Sequence, residues 1–243
     1  MILTAHQPVY LPWLGLFHKI MLADAFVSFD AVQYVPKDFI NRNKILAAGR
    51  ASWLTVPVLD KDYQNGLNIN EAKIKNSLNW RKKHWKTIYL NYKKTAHFDR
   101  FAPFFEDLYS REWETIAELN EHILRYLLSE LGINIKWYRL SELGVTGYKN
   151  ELVLNMCRKL EADLYIFGEL GRDYADRESF NRAGIEVIFQ KYEHPVYPQA
   201  AREFVSHLSV IDLLFNAGSE RAREIIGSGN ISREELVSAC AVH

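Results

Sequence analysis

Apolar residues arrive along this chain in short bursts with two alternating rhythms. Ile2 to Ala5 form a brief apolar run that stops at His6-Gln7-Pro8, which reads as a buried strand ended by a residue with no ladder donor. Pro12 suits the first turn of a helix, and Leu16, Ile20 and Ala23 follow at helical spacing. Ala25 to Phe29 is a second strand, ending at Asp30. Strand, helix and strand within thirty residues predict a parallel pair joined by a right-handed crossover. Ala162 to Phe167 and Ile185 to Phe189 repeat the pattern, with a helix over Asn150 to Glu161 before them and a short helix to Ala183 between them.

The remaining segments read differently. Trp53 to Val58 is strand-like, with Pro57 placing it at an edge or near its end, and Asp60 to Asn70 is a polar loop. Trp85, Ile88, Tyr89 and Tyr92 lie at i, i+3, i+4 and i+7, one helical stripe, with Asn79 available as a cap. Phe101 to Leu131 is helical and ends at Gly132, and Ile133 to Tyr138 is strand-like. Residues 204–226 are helical, 227–230 a turn, and Ile231 to Val242 a last short helix. The alternation predicts an α/β fold: a Rossmann-like parallel sheet with helices on both faces, a helical insertion at about 75–131, and a helical C-terminus, in a single domain of 1–243.

Composition narrows the function. The chain has 243 residues, 48% hydrophobic, with 30 basic and 30 acidic residues. That apolar content supports a sizeable core and argues against disorder, and the charge balance argues against a nucleic-acid partner. Cys157 and Cys240 form no disulfide framework and no zinc motif, and Cys157 reads as a small buried residue. The first residues lack a basic stretch and cleavage signature, and no apolar run approaches the ~18 residues of a membrane span, so the expected location is cytoplasmic.

Candidate chemistry gathers at strand ends, where open parallel sheets bind ligands. His6 follows the first strand, where an imidazole acts as a general base or stabilises an anion; the bland alternative is a carbonyl-bonded core histidine. Gln7 beside it adds a donor and an acceptor. Asn41-Arg42-Asn43-Lys44 brings two amides and two cations suited to carboxylate or phosphate, or is a solvated loop. Gly168 to Arg172 is a glycine-containing turn able to present backbone donors to a phosphate, though many turns look alike. Tyr192 to Gln199 combines His194, Tyr197 and Gln199 on a path fixed by two prolines, suited to a sugar or nucleoside or simply a rigid loop. The helix from Trp80 carries Arg81, Lys82, Lys83 and Lys86, a solvated face or a contact for an anionic membrane or assembly partner. Gly-x-Ser-x-Gly, Walker, His-Glu-x-x-His and Cys-x-x-Cys motifs are absent, so no metal is assigned, and the sequence names no cofactor.

Two strings carry a resemblance. His6-Gln7-Pro8-x-Tyr10-Leu11-Pro12-Trp13-Leu14-Gly15 and Asn41-Arg42-Asn43-Lys44-Ile45 resemble the N-terminal signature of the WbqC-like family. Ala162-Asp163-x-Tyr165, Gly168-x-x-Gly171-Arg172-x-Tyr174, His194-Pro195-x-Tyr197-x-Gln199 and Leu208 to Gly218 agree with it. Leu152 follows Glu151 where an arginine would be expected; if that arginine touches the ligand in relatives, this member differs in substrate. The resemblance implies an enzyme of surface-polysaccharide (O-antigen-type) biosynthesis, a transferase moving glycine or a related acyl group onto a sugar or sugar nucleotide. His6 would be the catalytic base. Arg42, Lys44 and Arg172 would hold anionic groups, and Gln7, Tyr10, Tyr197 and Gln199 would orient the acceptor. Asn41, Gly168, Gly171, Tyr174 and His194 complete the expected substrate-binding set. A weaker similarity is to the fold of the nucleotidylyltransferase superfamily, but its paired-histidine motif is replaced by Pro12-Trp13-Leu14-Gly15. A nucleotidyltransferase- or ligase-like enzyme using a nucleoside triphosphate, and a non-catalytic module of a glycan-assembly complex, are the two other readings.

Overall fold

A computed structural model of the protein describes residues 1–59 and 66–240. Asp60 to Asn65 of the expected polar loop, and the end of the expected last helix, lie outside the described residues. The first βαβ unit is present: β1 (Ile2–His6), α1 (Leu14–Met21) and β2 (Ala25–Ser28), with β1 and β2 parallel and Leu3 beside Ala25. β5 (Lys136–Arg139) adds outside β2, while β6 (Leu164–Phe167) pairs with the other side of β1 and β7 (Glu186–Phe189) pairs with β6. The five strands are parallel in the order β5-β2-β1-β6-β7.

The pleat divides the core. Leu3, Ala5, Ala25, Val27, Tyr165, Phe167 and Val187 pack with Val153, Met156 and Cys157 of α6 (Asn150–Lys159) and Phe180 of α7 (Arg177–Arg182). Leu164 and Ile166 face the other way, onto Leu22 and onto Leu236 of α9 (Arg233–Cys240), and Phe26 packs there with Trp137. Both faces are therefore covered by helices, which is why these strands read as apolar runs.

A hairpin lies outside this sheet. The polar stretch expected at Asn41 to Lys44 is instead the start of β3 (Arg42–Ala47), antiparallel to β4 (Arg50–Thr55). Ala48 and Gly49 both have positive φ, 50° and 73°, the geometry a two-residue turn needs to match strand twist. The strand expected over Trp53 to Val58 stops at Thr55, and beyond Pro57 the pairing passes to a bridge between Val58 and Ile74.

Between hairpin and β5 come α2 (Trp80–Tyr92), α3 (Phe98–Ser110) and α4 (Ile116–Glu130). The helix expected over Phe101 to Leu131 is thus two, broken where Arg111 is extended and Thr115 caps α4 in a reciprocal box with Glu118. The buried stripe of α2 is Trp80, His84, Ile88 and Tyr92, so Ile88 and Tyr92 of the expected stripe are buried, while Trp85 is partly exposed and Tyr89 is 43% exposed. Asn79 occupies the N-cap position without a capping bond. A short α5 (Leu140–Leu143) follows β5. The expected helix from 204 begins only at α8 (Val210–Gly227), because the Ser209 N–H is already committed to the Lys44 carbonyl and its hydroxyl caps the new helix. α8 kinks at Gly218, whose φ is 75°.

Candidate functional site at the switch point

From β1 the chain winds first to β2 and β5 on one side and later to β6 and β7 on the other. The carboxyl ends of β1 and β6 therefore flank the crevice at which the winding reverses, the usual ligand position in such sheets. His6 closes β1, and Gly168 follows β6. The pairing of Thr4 with Ile166 carries these two positions to adjacent rows.

His6 is partly exposed, and its Nδ1 lies 2.8 Å from the Gln7 carbonyl. A carbonyl only accepts, so Nδ1 carries the proton and Nε2 keeps its lone pair. Desolvation, reinforced by the charge of Lys19, lowers the pKa of His6 to about 4. At neutral pH the ring is a neutral base at the end of a strand. Gln7 is partly exposed next to it.

Lys19, unmarked by any sequence motif, belongs to this place. It lies on α1 and is 3% exposed, and its Nζ donates to the Ala5 carbonyl at 2.9 Å. Burial alone lowers its pKa to about 7. A Cβ built on Gly168 would have that Nζ as its nearest atom, at 4.0 Å. Its neighbour His18 is pinned structurally: Nε2 donates to the Ile231 carbonyl at 3.1 Å, and Nδ1 accepts from Gln190, which also donates to the Gly15 carbonyl. These bonds clamp α1 to the chain after β7.

Trp13 stands at the N-cap of α1. Gly15 makes room for it, since a Cβ there would sit 2.4 Å from the indole. The indole stacks on His207 and meets Tyr192 edge-on, and His207 lies 4.9 Å, centroid to centroid, from His194. Nδ1 of His194 donates to the Pro195 carbonyl, and its Nε2 is buried without a partner among the described residues. Tyr197 and Gln199 sit in the same loop, but their polar groups point inward. Tyr197 Oη and Gln199 Nε2 both donate to Asp212 Oδ2, at 3.0 and 2.8 Å, and Gln199 also holds Val205. They anchor the loop that carries His194 to α8.

The other expected residues divide by the direction of their side chains. Tyr10 is fully buried and its hydroxyl bonds to Tyr109 and to His84 Nδ1, so here it is a core residue. Asn41 and Asn43 turn inward, donating to the Val56 and Leu11 carbonyls. Arg42 and Lys44, alternate on β3, lie over the Trp53 ring at 4.3 and 5.0 Å. They form a cationic edge on the hairpin, joined to the Trp13 cluster through the Lys44–Ser209 backbone bond. The Gly168 turn continues into a 3-10 segment (Glu169–Asp173). Its Gly171 is required by packing, because a Cβ would meet the Phe167 ring at 2.6 Å, and its N–H is spent on the Gly168 carbonyl. Arg172 is exposed and lies over Phe189, where Arg177 also lies, at 4.9 and 4.8 Å. Tyr174 rests edge-on against Phe167 and is 42% exposed.

At the other end of the same sheet edge a cleft of about 220 Å³ opens over β2 and β5, lined by Asp30, Asn70, Glu118, Glu121, Arg139 and Ser141. Glu121 there binds Ser28 and Arg139, and Asp30 binds Ser141. Among the described residues no group of His, Cys, Asp or Glu is arranged to hold a metal.

The sequence model of the WbqC-like protein family matches residues 7–224. The chain belongs to the WbqC-like protein family. It is also 33% identical over 216 residues to an uncharacterized protein of Mycobacterium tuberculosis, covering 88% of this chain and 93% of that one. The WbqC-like match begins one residue after His6 and takes in Lys19, the hairpin, the Gly168 turn and the His194 loop, while α9 lies beyond it.

Proposed function

We propose that this WbqC-like protein is a transferase that moves an aminoacyl or acyl group, glycine among the candidates, onto a sugar or sugar nucleotide in surface-polysaccharide assembly. The single observation that carries the reading is His6: a neutral imidazole, Nδ1 bonded to the Gln7 carbonyl and Nε2 with no hydrogen-bond partner among the described residues, at the end of the central strand beside the switch point. Nε2 takes the proton of an acceptor hydroxyl as that oxygen attacks the acyl carbonyl. The tetrahedral intermediate collapses, and the same proton returns to the departing group. Gln7 offers paired donor and acceptor groups to orient the acceptor, and Trp13 with His207 offers an aromatic surface of the kind that sugar rings pack against. Arg42, Lys44 and Arg172 are the cations that would attract an anionic substrate.

On α2, Lys82, Lys83 and Lys86 are exposed beside exposed Tyr89 and Leu90, a basic and aromatic strip suited to an anionic membrane surface or an assembly partner. Among the described residues no helix is long and apolar enough to cross a membrane.

The test is a thermal-shift screen of nucleoside triphosphates, sugar nucleotides, acyl-CoA species and amino acids, followed by a transfer assay with the stabilising pair. His6→Ala should lower turnover at least about a hundredfold. Unchanged turnover removes His6 as the base, and a response confined to nucleoside triphosphates turns the reading toward a ligase-like enzyme.

A further inference from the structure

Lys19 is an odd residue to find under α1. A lysine with almost no exposed surface ordinarily has a carboxylate partner, because an isolated buried charge is costly. Lys19 has none: its one bond is to the Ala5 carbonyl, burial is the only influence on its titration, and it takes part in no ion pair among the described residues. The charge of Lys19 is felt by His6 on β1, which is held neutral, and its neighbour on α1, His18, has both ring nitrogens occupied. β6 contributes no charge here, and at Gly168, just after it, a built Cβ would have only Lys19 Nζ within reach, at 4.0 Å. An ammonium group has three donors, and two of these have no acceptor among the described residues.

We propose that Lys19 is the binding group for an anionic part of the substrate, a phosphate or a carboxylate, which enters the space beside Gly168 and supplies the missing counter-charge. The proposal rests on reading the switch point as the reactive site. It adds to that reading the charge of the substrate and the residue that receives it. The anion would sit between Lys19 Nζ and the neutral His6, so its own charge would hold the amine protonated. The cost of leaving Lys19 unpaired in the free protein is then recovered when ligand binds, the pattern expected where stability is exchanged for function. Gly168 takes on a specific task, since its φ of −71° makes no demand for glycine and space beside the amine does.

The experiment is a melting titration of the whole chain with inorganic phosphate, pyrophosphate and acetate at constant ionic strength. Wild type should gain melting temperature saturably with one anion class, and phosphate against acetate tells phosphoryl from carboxyl recognition. Lys19→Met should melt higher than wild type without ligand and bind that anion at least about tenfold more weakly. Gly168→Val keeps the lysine and fills the space beside it, so it should lose the same response. It also decides the matter should Lys19→Met fail to fold. No anion response in wild type, or an undiminished response in folded Lys19→Met or Gly168→Val, overturns the proposal. His6→Ala should retain anion binding while losing turnover, so failure of the base assignment leaves a distinct signature.

Discussion

The Nζ of Lys19 donates to the carbonyl of Ala5 at 2.9 Å, tying the middle of α1 to the penultimate residue of β1. That bond keeps a costly group at the strand edge without neutralising it. With its folded pKa about 7 and an unfolded value of 10.5, Lys19 makes the unfolded chain bind more protons than the folded one between those limits. Stability therefore rises as pH climbs from about 7 to about 10.5. Urea unfolding of wild type and Lys19→Met should show the variant about 2–4 kcal/mol more stable at pH 7 and the difference closing toward about pH 10.5. A variant no more stable than wild type at pH 7 would mean the amine is already well solvated.

Acid should act through two other buried bases. His84 is bonded to Tyr10 in the core, and burial lowers its pKa to about 4, the same value as His6. Below the ordinary histidine value of about 6.5 the unfolded chain takes up protons that these rings refuse. Stability should fall between about pH 6.5 and pH 4, by at most about 3 kcal/mol for each histidine. Chemical denaturation across that range tests it, and His84→Phe should flatten part of the slope while costing the bond to Tyr10.

Asp212 is fully buried, receives hydrogen bonds from Tyr92, Tyr197 and Gln199, and forms no ion pair among the described residues. Its removal orphans three donors at once. Asp212→Ala should cost about 3 kcal/mol and free the His194 loop, seen as faster proteolysis between residues 192 and 206. Equal cleavage rates in both proteins would show that the loop is held by other contacts.

Gly218 combines a positive φ with a tight neighbour, since a Cβ would lie 2.8 Å from the His97 ring. Gly218→Ala should destabilise by roughly 2 kcal/mol or more. Adding His97→Ala should restore only the steric share, so a double-mutant cycle separates ring contact from backbone strain.

Periodicity is enough to place β1, α1, β2, β6 and β7, because fully buried parallel strands leave unbroken apolar runs between turn residues. It fails where tertiary partners decide. Arg42 to Lys44 reads as a polar loop because a hairpin with one solvated face alternates, and the inward amides of Asn41 and Asn43 disguise the inner face. Tyr10 and Tyr197 read as ligand contacts because an amphipathic ring can face either way; the buried acceptors His84 and Asp212 decide that both face inward. Lys19 is hidden by its setting among apolar helix positions, where a lysine normally reaches solvent. The unusual signal is a lysine and a histidine side by side in a helix otherwise apolar on every side.

The central place of β1 also bears on how the protein is made. The strand bearing His6 leaves the ribosome before its partners, yet one of its two neighbours, β6, begins only at Leu164. Until Leu164 to Phe167 emerge, β1 is an unpaired apolar edge in a nascent chain, a template for wrong partners. A fragment ending before residue 160 should therefore aggregate, and native structure should appear during synthesis only after the second half of the sheet has arrived.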